Sequence, residues 1–156
     1  MSSELQAVAK SLGLDKYRRH IFLCAGQTEP KCAPQQSGLE SWEYLKRRLK
    51  ELGLAGPEPL VYRSRANCLR VCTQGPIAVV YPEAVWYHSC APSVLERIIQ
   101  EHLMHGKIVE EYAFANNAAF NHRSTQMDTD NFHPDLGQAT PARQLEAQGL
   151  IDSPPQ

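Results

Sequence analysis

Four of the five cysteines are spaced in a way that suits metal binding. Cys24 and Cys32 have seven residues between them, and Cys68 and Cys72 have three. A thioredoxin-type redox pair has only two residues between its thiols, and no C-x-x-C occurs anywhere in the chain. Thiolates are preferred ligands of zinc and of iron–sulfur clusters. The two pairs therefore point to a metal centre if the fold brings them together.

Each pair follows a segment that is predicted to be a strand. "HIFLCAG" is a short apolar run that ends near Cys24, and "LVYRSR" lies shortly before Cys68. A helix is predicted between them, because leucines recur at helical intervals from Leu39 to Leu52. If the two strands are parallel, their carboxyl ends lie at one edge of the sheet, where ligands commonly bind. We therefore expect all four cysteines at that edge.

The remaining patterns complete an α/β fold. Ser37 and Glu40 have the spacing of a capping box, which predicts that the helix starts there. "PIAVVYPEAVWYHS" predicts a hairpin that turns at 82–84. A last helix is predicted from Pro92 to Gly106, and a cation at His102 or His105 would suit the dipole at its end. The predicted order is strand, helix, strand, strand, strand, helix.

The spacing of the thiols favours one metal centre over another without excluding either. Structural zinc sites usually draw on tight pairs, with roughly two to four residues between the ligands. A gap of seven residues is wider than this. Two irons bridged by sulfides spread their four thiolates further apart than one tetrahedral zinc does, which favours a [2Fe–2S] cluster. Zinc and cysteines without a ligand role remain open at this point.

Three segments resemble the thioredoxin-like [2Fe–2S] ferredoxins of bacteria. They are "CAGQTEPKC", "CLRVCTQGPIAVVYPEAVWY" and a helix that ends in "EHLMHGKIVEEY". The similarity runs from about Arg19 to Tyr112, and its most specific part is the segment from Cys68 to Tyr87. A related domain serves as the small iron–sulfur subunit of NADH dehydrogenases and some hydrogenases. The loop between the first two cysteines departs from both groups, because its length is intermediate between theirs.

The resemblance implies a fold, a cofactor and a function. The fold would be thioredoxin-like α/β, with a four-to-five-stranded mixed sheet, flanking helices and a mostly extended C-terminal tail. The cofactor would be a [2Fe–2S] cluster on four ligands, namely Cys24, Cys32, Cys68 and Cys72. The protein would be a one-electron carrier and not an enzyme, with redox proteins as partners and a homodimer as its assembly. Pro76 would occupy a position where thioredoxin-like folds often have a cis-proline.

The same resemblance leaves other functions open. One alternative is a non-catalytic iron–sulfur subunit of a larger dehydrogenase or hydrogenase complex. A zinc-binding structural module is a second alternative, from a different class. Backbone N–H groups of the two loops are expected to donate hydrogen bonds to the sulfurs, among them those of Ala25 and Arg70. Trp86 and Tyr87 would either pack inward or line a dimer contact, and Cys90 is expected to be a buried small residue.

Composition excludes several classes of partner. The 156 residues carry a formal net charge of −1, so no overall field favours nucleic acid. No stretch approaches the roughly 20 apolar residues that a membrane-spanning helix needs. The first residues lack the apolar core of an export signal, which predicts a cytoplasmic protein with reduced thiols. Locally, however, a basic collar near the cysteines is predicted from Lys31, Arg63, Arg65 and Arg70, unless these side chains are simply solvated.

The chain divides into three parts by composition. Residues 1–18 form an N-terminal helical extension, and residues 19–112 form the thioredoxin-like domain. Residues 113–156 are polar and contain few large apolar side chains, so most of this tail cannot offset the entropy of folding. A short helix at 141–148 is the one element that its sequence indicates, because Pro141 suits a helix start and Gly149 suits its end.

Overall fold

The computed structural model describes residues 2–117 of the chain, so the helix predicted at 141–148 lies outside the described residues. The helices are α1 (Ser3–Ser11), α2 (Gln35–Glu51) and α3 (Pro92–Arg97), the last of which continues as a π-helical segment at Ile98–Leu103. The strands are β1 (Arg19–Cys24), β2 (Val61–Ala66), β3 (Ala78–Tyr81), β4 (Val85–Tyr87) and β5 (Ala113–Ala115). Within this part of the chain, no helix is long and apolar enough to cross a membrane.

The five strands form one mixed sheet in the order β2-β1-β3-β4-β5. β1 and β2 are parallel, and Cys24 at the end of β1 pairs with Ala66 at the end of β2. All other neighbours are antiparallel. The predicted mixed sheet and its parallel first pair are therefore confirmed. Both cysteine loops leave the sheet at the same edge.

The core lies between one face of the sheet and helices α2 and α3. Alternation along β1 points Ile21 and Leu23 into this layer, and both are fully buried. The helices contribute their predicted apolar faces, with Leu45, Leu49, Leu95, Ile98, Ile99 and Leu103 all buried. Each such side chain contributes roughly 1.5–3 kcal/mol by leaving water. Tyr87 also packs inward and is fully buried.

The opposite face of the sheet carries aromatic side chains that stay partly exposed. The His20 and Phe22 rings stack with centroids 4.0 Å apart, and Tyr62 meets His20 edge-on at 5.1 Å. Tyr81 and Phe114 on this side are 42% and 47% exposed. We define the aromatic face by these residues and Trp86, which is half-buried and lies 6.4 Å from the Phe114 ring.

One local prediction is wrong. α2 begins at Gln35 with Pro34 as its N-cap and no side-chain cap, so Ser37 and Glu40 do not form the predicted capping box. The helix starts earlier because the Pro34 carbonyl already accepts the Ser37 and Gly38 amides. The sheet also continues for three residues beyond Tyr112 as β5, which pairs with β4 and supplies the fifth strand of the predicted four-to-five-stranded sheet.

His102 is a buried member of a polar network and does not act as a cation at the helix end. Its side chain is fully buried, with Nδ1 2.8 Å from the Tyr87 hydroxyl and Nε2 3.4 Å from Glu83 Oε2. Arg19 in turn donates two hydrogen bonds to Glu83. Burial lowers the pKa of His102, and the nearby Arg19 adds to this effect while Glu83 opposes it. The expectation of a cation at the helix end therefore fails for His102, because the π-helical segment directs this side chain into the core.

Candidate metal centre

The structure brings the four predicted cysteines to one edge of the sheet. Cys24 closes β1, Cys32 lies in the loop before α2, and Cys68 and Cys72 lie in the loop after β2. All four line a single small cavity that also contacts Gln27. We call residues 24–32 the inner loop and residues 67–75 the outer loop.

The two loops differ in how much of their sulfur reaches solvent. Cys24 is 2% exposed and Cys32 is half-buried, whereas Cys68 and Cys72 are both exposed. The Sγ atoms of Cys24 and Cys32 are 3.9 Å apart. Cys24 Sγ also lies 3.8 Å from the Asn67 carbonyl of the outer loop, so the pairs are neighbours across the cavity. No disulfide links any of these thiols.

Hydrogen bonds and one close contact hold the loops against each other. Asn67 Oδ1 accepts hydrogen bonds from the backbone and the hydroxyl of Thr28, at 2.9 and 3.3 Å. The Gly75 amide donates to the Cys32 carbonyl at 2.8 Å. A Cβ at Gly75 would lie 2.7 Å from Cys32 Sγ, which is closer than real Cβ atoms come to their neighbours. Gly75 is therefore required by the packing of the two loops.

The outer loop has an unusual backbone. Arg70, Cys72 and Gln74 have φ values of 67°, 54° and 48°, a region that non-glycine residues seldom adopt. The Arg70 amide donates to Cys68 Sγ at 3.2 Å, which confirms one of the expected backbone donors. The Ala25 amide instead donates to the Ala66 carbonyl, because it continues the ladder between β1 and β2. The peptide bond between Gly75 and Pro76 is cis.

Gln27, which the sequence alone does not single out, contacts both inner sulfurs through its side-chain amide. Its Nε2 lies 3.1 Å from Cys24 Sγ and 3.3 Å from Cys32 Sγ, and the residue is 2% exposed. The only hint of this role in the sequence is that a glutamine stands three residues after Cys24. Nothing in the sequence distinguishes it from the other glutamines of the chain, because its burial depends on how α2 packs over the inner loop.

Two of the four thiols have raised pKa values, and the main cause differs between them. Burial raises the pKa of Cys32, and the neighbouring Cys24 raises it further. The pKa of Cys72 is raised chiefly by its hydrogen bond with Cys68. A positively charged metal offsets these penalties on the thiolate form, because it lowers the pKa of thiols that bind to it.

The predicted basic collar is only partly formed. The guanidinium of Arg65 lies against Gly26 of the inner loop, because a Cβ built on this glycine would be 3.3 Å from Nη1 of Arg65. Arg70 is exposed in the outer loop, and Lys31 is exposed but lies 3.7 Å from Glu29. Arg63 points elsewhere, because its guanidinium packs over the Trp42 ring at 6.0 Å. The positive charge near the sulfurs therefore comes from Lys31, Arg65 and Arg70, and the Glu29 carboxylate in the same cavity wall offsets part of it.

The other cysteine and two histidines lie away from the centre. Cys90 is fully buried in the core, where its thiol donates to backbone carbonyls, so the expected structural role is confirmed. His20 hydrogen-bonds Ser64 at 2.9 Å on the aromatic face. The Nδ1 atom of His88 forms a hydrogen bond of 2.9 Å with the Ser89 hydroxyl, in the segment that follows β4. Neither histidine lines the cysteine cavity.

The donor set fits a [2Fe–2S] cluster. Such a cluster takes two thiolates on each iron, and the structure supplies an inner pair and an outer pair on opposite loops. The N–H groups of Gln27 and Arg70 lie within hydrogen-bonding distance of cysteine sulfurs, where they would stabilise the negative charge of thiolate ligands. Within residues 2–117, no three His, Cys, Asp or Glu side chains are grouped for a single metal ion.

Curated relatives of the chain are ferredoxins. No family model matches the sequence. The 2Fe-2S ferredoxin of Clostridium pasteurianum is 32% identical over 97 residues, which cover 60% of this chain and 92% of that protein. The 2Fe-2S ferredoxin of Aquifex aeolicus is 27% identical over 101 residues, or 59% of this chain and 85% of that one.

Solved structures agree with this relationship at the level of the fold. The wild-type thioredoxin-like [2Fe-2S] ferredoxin of Aquifex aeolicus superposes with a TM-score of 0.52 at 25% identity, over 64% of this chain and 98% of that one. A further structure of a thioredoxin-like ferredoxin from that organism has a TM-score of 0.53. Both the expected thioredoxin-like fold and the expected family are confirmed. This chain belongs to the thioredoxin-like [2Fe–2S] ferredoxins.

Proposed function

We propose that Cys24, Cys32, Cys68 and Cys72 hold a [2Fe–2S] cluster and that the protein carries single electrons between redox proteins. The ferredoxin relationship makes the chain an electron-transfer protein and not a catalyst of bond chemistry. The observation that carries the ligand assignment is that two thiol pairs with 35 residues between them in sequence line one cavity. Because the inner pair comes from β1 and the outer pair follows β2, the parallel pairing of these strands creates the site.

The residues around the cavity each have a defined task. When bound, the cluster accepts and donates one electron without making or breaking covalent bonds to a substrate. The four thiolates hold it, and the burial of Cys24 keeps water from the inner side. The N–H groups of Gln27 and Arg70 stabilise negative charge on the sulfurs. The exposed Cys68 and Cys72 bring the outer side to the protein surface, where a partner can approach closely.

Anaerobic purification tests the ligand assignment. The protein should contain about two irons and two labile sulfides per chain, absorb visible light and give an EPR signal on reduction. Single Cys→Ser variants at the four positions should lose or alter that signal. Cys90→Ala is the matched control, because Cys90 is buried in the core and does not line the cavity. Colourless protein that contains zinc would overturn the assignment in favour of a structural module.

A free carrier is favoured over a subunit of a larger enzyme. The curated relatives are ferredoxins, and the Clostridium protein is covered over 92% of its length by this chain. Native mass spectrometry of the complex isolated from its host distinguishes the two. A species no larger than a homodimer supports the carrier, and co-purification with a dehydrogenase at fixed stoichiometry contradicts it.

We further propose a cytoplasmic homodimer. The aromatic face supports dimer formation, because Tyr81 and Phe114 expose large apolar area that association would cover. Cys68 and Cys72 are exposed thiols, and a reducing compartment such as the cytoplasm would keep them available as ligands. Light scattering should give twice the chain mass, and Tyr81→Glu should reduce it to that of a monomer. Glu58→Lys is a suitable control, because this exposed residue lies outside the aromatic face.

The division of the chain is a related proposal. We propose that residues 19–112 form the cluster-binding domain, that β5 at Ala113–Ala115 completes its sheet, and that 1–18 and the residues beyond β5 are additions to it. α1 supports this, because it buries none of its residues. A chain that lacks residues 1–18 should retain its iron and its visible spectrum. Loss of both on truncation would show that the extension belongs to the domain.

A further inference from the structure

Gln27 is the one side-chain amide that contacts two of the proposed ligands in the described part of the chain. Its Nε2 lies 3.1 Å from Cys24 Sγ and 3.3 Å from Cys32 Sγ. We propose that Gln27 is a positioning residue that donates one N–H to each inner thiolate and thereby raises the reduction potential of the bound cluster. This inference rests on the proposed assignment of Cys24 and Cys32 as ligands.

The chemistry of the thiolates fixes the orientation of the amide. A metal-bound thiolate has no proton to donate, so its sulfur only accepts hydrogen bonds. The amide nitrogen has two N–H groups, which is the number that two adjacent acceptors require. The reversed amide would place the Gln27 oxygen against two anionic sulfurs, which is repulsive. The observed orientation is therefore the one that a cluster demands.

The other end of the amide indicates that this placement has a cost. Gln27 Oε1 is buried and has no hydrogen-bond partner. A buried acceptor without a partner is unfavourable, so a loop under selection for stability alone has no reason to keep it. The side chain remains buried because its nitrogen is held by the two sulfurs. The unpaired oxygen is thus the consequence of using the amide as a double donor.

The start of α2 holds Gln27 in place. Gln35 Nε2 donates to the Gln27 carbonyl at 2.9 Å. Gly38 lets the helix approach closely, because a Cβ there would lie 3.2 Å from Ala25 Cα and 3.5 Å from Gln27 Oε1. Gly26, with φ of 63°, turns the chain just before Gln27. The start of α2 therefore fixes the backbone of Gln27 and closes over its side chain, which leaves the amide facing the two sulfurs.

The direction of the effect follows from electrostatics. Reduction adds one negative charge to the cluster and its sulfurs. An N–H dipole pointed at a sulfur stabilises that charge and favours the reduced state. Two such dipoles in a buried pocket are screened less than donors at the surface. Removal of the Gln27 amide should therefore make reduction less favourable.

The test is the reduction potential of the full-length, anaerobically purified protein with Gln27→Leu. Leucine has a similar size and no donor. We expect the equilibrium constant for reduction to fall roughly tenfold, which for one electron is a potential about 59 mV more negative. Gln36→Leu is the matched control, because Gln36 is exposed in α2 and bonds only to Glu40, at 3.2 Å. Its potential should equal that of the wild type.

The outcomes separate this inference from the proposed function. Wild-type protein without iron and sulfide overturns both. A loaded Gln27→Leu protein with an unchanged potential overturns the role of Gln27 alone. If Gln27→Leu does not retain a cluster, pulsed EPR of the reduced wild type with side-chain ¹⁵N-labelled glutamine decides the matter. A hyperfine coupling to that nitrogen supports the N–H···S contact, and its absence contradicts it.

Discussion

The inner and outer loops present their sulfurs in opposite ways. The inner loop buries Cys24, is covered by α2 and approaches its sulfurs with the side-chain amide of Gln27. The outer loop exposes Cys68 and Cys72 and uses a backbone amide, that of Arg70, within a left-handed turn. The contrast teaches that one loop controls the environment of the cluster and the other gives access to it. Three predictions test this division, and two predictions on pH concern the opposite end of the sheet.

The largest effect is expected where the two loops touch. Gly75→Ala places a Cβ 2.7 Å from Cys32 Sγ and 2.8 Å from Cys32 Cβ, so the outer loop must push the inner ligand away. We expect the iron content per chain to fall by about half or more, with a loss of stability of roughly 1–3 kcal/mol from overpacking. Gly56→Ala is the control, because no atom lies within 4 Å of the added Cβ. Equal iron content in the two variants contradicts the contact.

Metal removal should reveal the difference in exposure directly. In metal-free protein, iodoacetamide should label Cys68 and Cys72 roughly tenfold or more faster than Cys24, because the outer thiols are exposed. Peptide mass spectrometry gives the rate at each position. Cys90 is an internal reference, since burial strongly raises the pKa of its thiol and shields it. Labelling of Cys24 at the rate of Cys68 would mean that the inner loop is open without metal.

A smaller effect is expected from charge at the outer loop. Arg70→Glu should slow electron transfer to the physiological partner several-fold at low salt, if that partner is acidic. The difference should shrink as the ionic strength rises, because salt screens exposed charges. Stopped-flow rates over a series of salt concentrations measure it. Lys107→Glu is the control, because Lys107 follows the last helix near the start of β1, at the other end of the sheet. A salt-independent change would argue against steering.

The smallest effect expected is a pH dependence of stability that arises from His102, at the opposite end of the sheet from the cysteines. The pKa of His102 is lower in the folded chain than its ordinary 6.5, mainly because of burial. The unfolded state therefore binds more protons just below pH 6.5, and stability should fall as the pH drops through this range. Urea unfolding between pH 5 and 8 checks this, and His102→Gln should flatten the dependence. The site should respond little, because His102 lies away from the cavity.

Glu83 extends that pH dependence to more acidic conditions. Burial raises the pKa of Glu83, but the hydrogen bonds from Arg19 and from a backbone amide, together with the nearby positive charge of Arg19, outweigh burial and leave this pKa below its ordinary value. Its contribution to stability is thus present at neutral pH and is lost as the pH falls through its folded pKa. Arg19→Gln should weaken this contribution. If the acid transition does not move in Arg19→Gln, the network contributes no measurable stability.

Much of the site could be predicted because its position follows from topology. The strand pattern before Cys24 and Cys68 and the helix between them imply a parallel pair, and parallel strands end at one edge. Gln27 could not be predicted, because its contact with the sulfurs depends on α2 closing over the inner loop. The burial of His102 likewise depends on Tyr87 and Glu83, which lie on a different element. Local patterns do not contain such contacts.

The exposure of the outer loop also bears on how the protein acquires its metal. A donor protein that delivers iron and sulfide can touch Cys68 and Cys72 directly, whereas Cys24 lies beneath the surface. A cluster delivered by such a protein would therefore meet the outer thiols before the inner ones. The outer side would likewise be the first part of the loaded centre that oxidants or chelators reach.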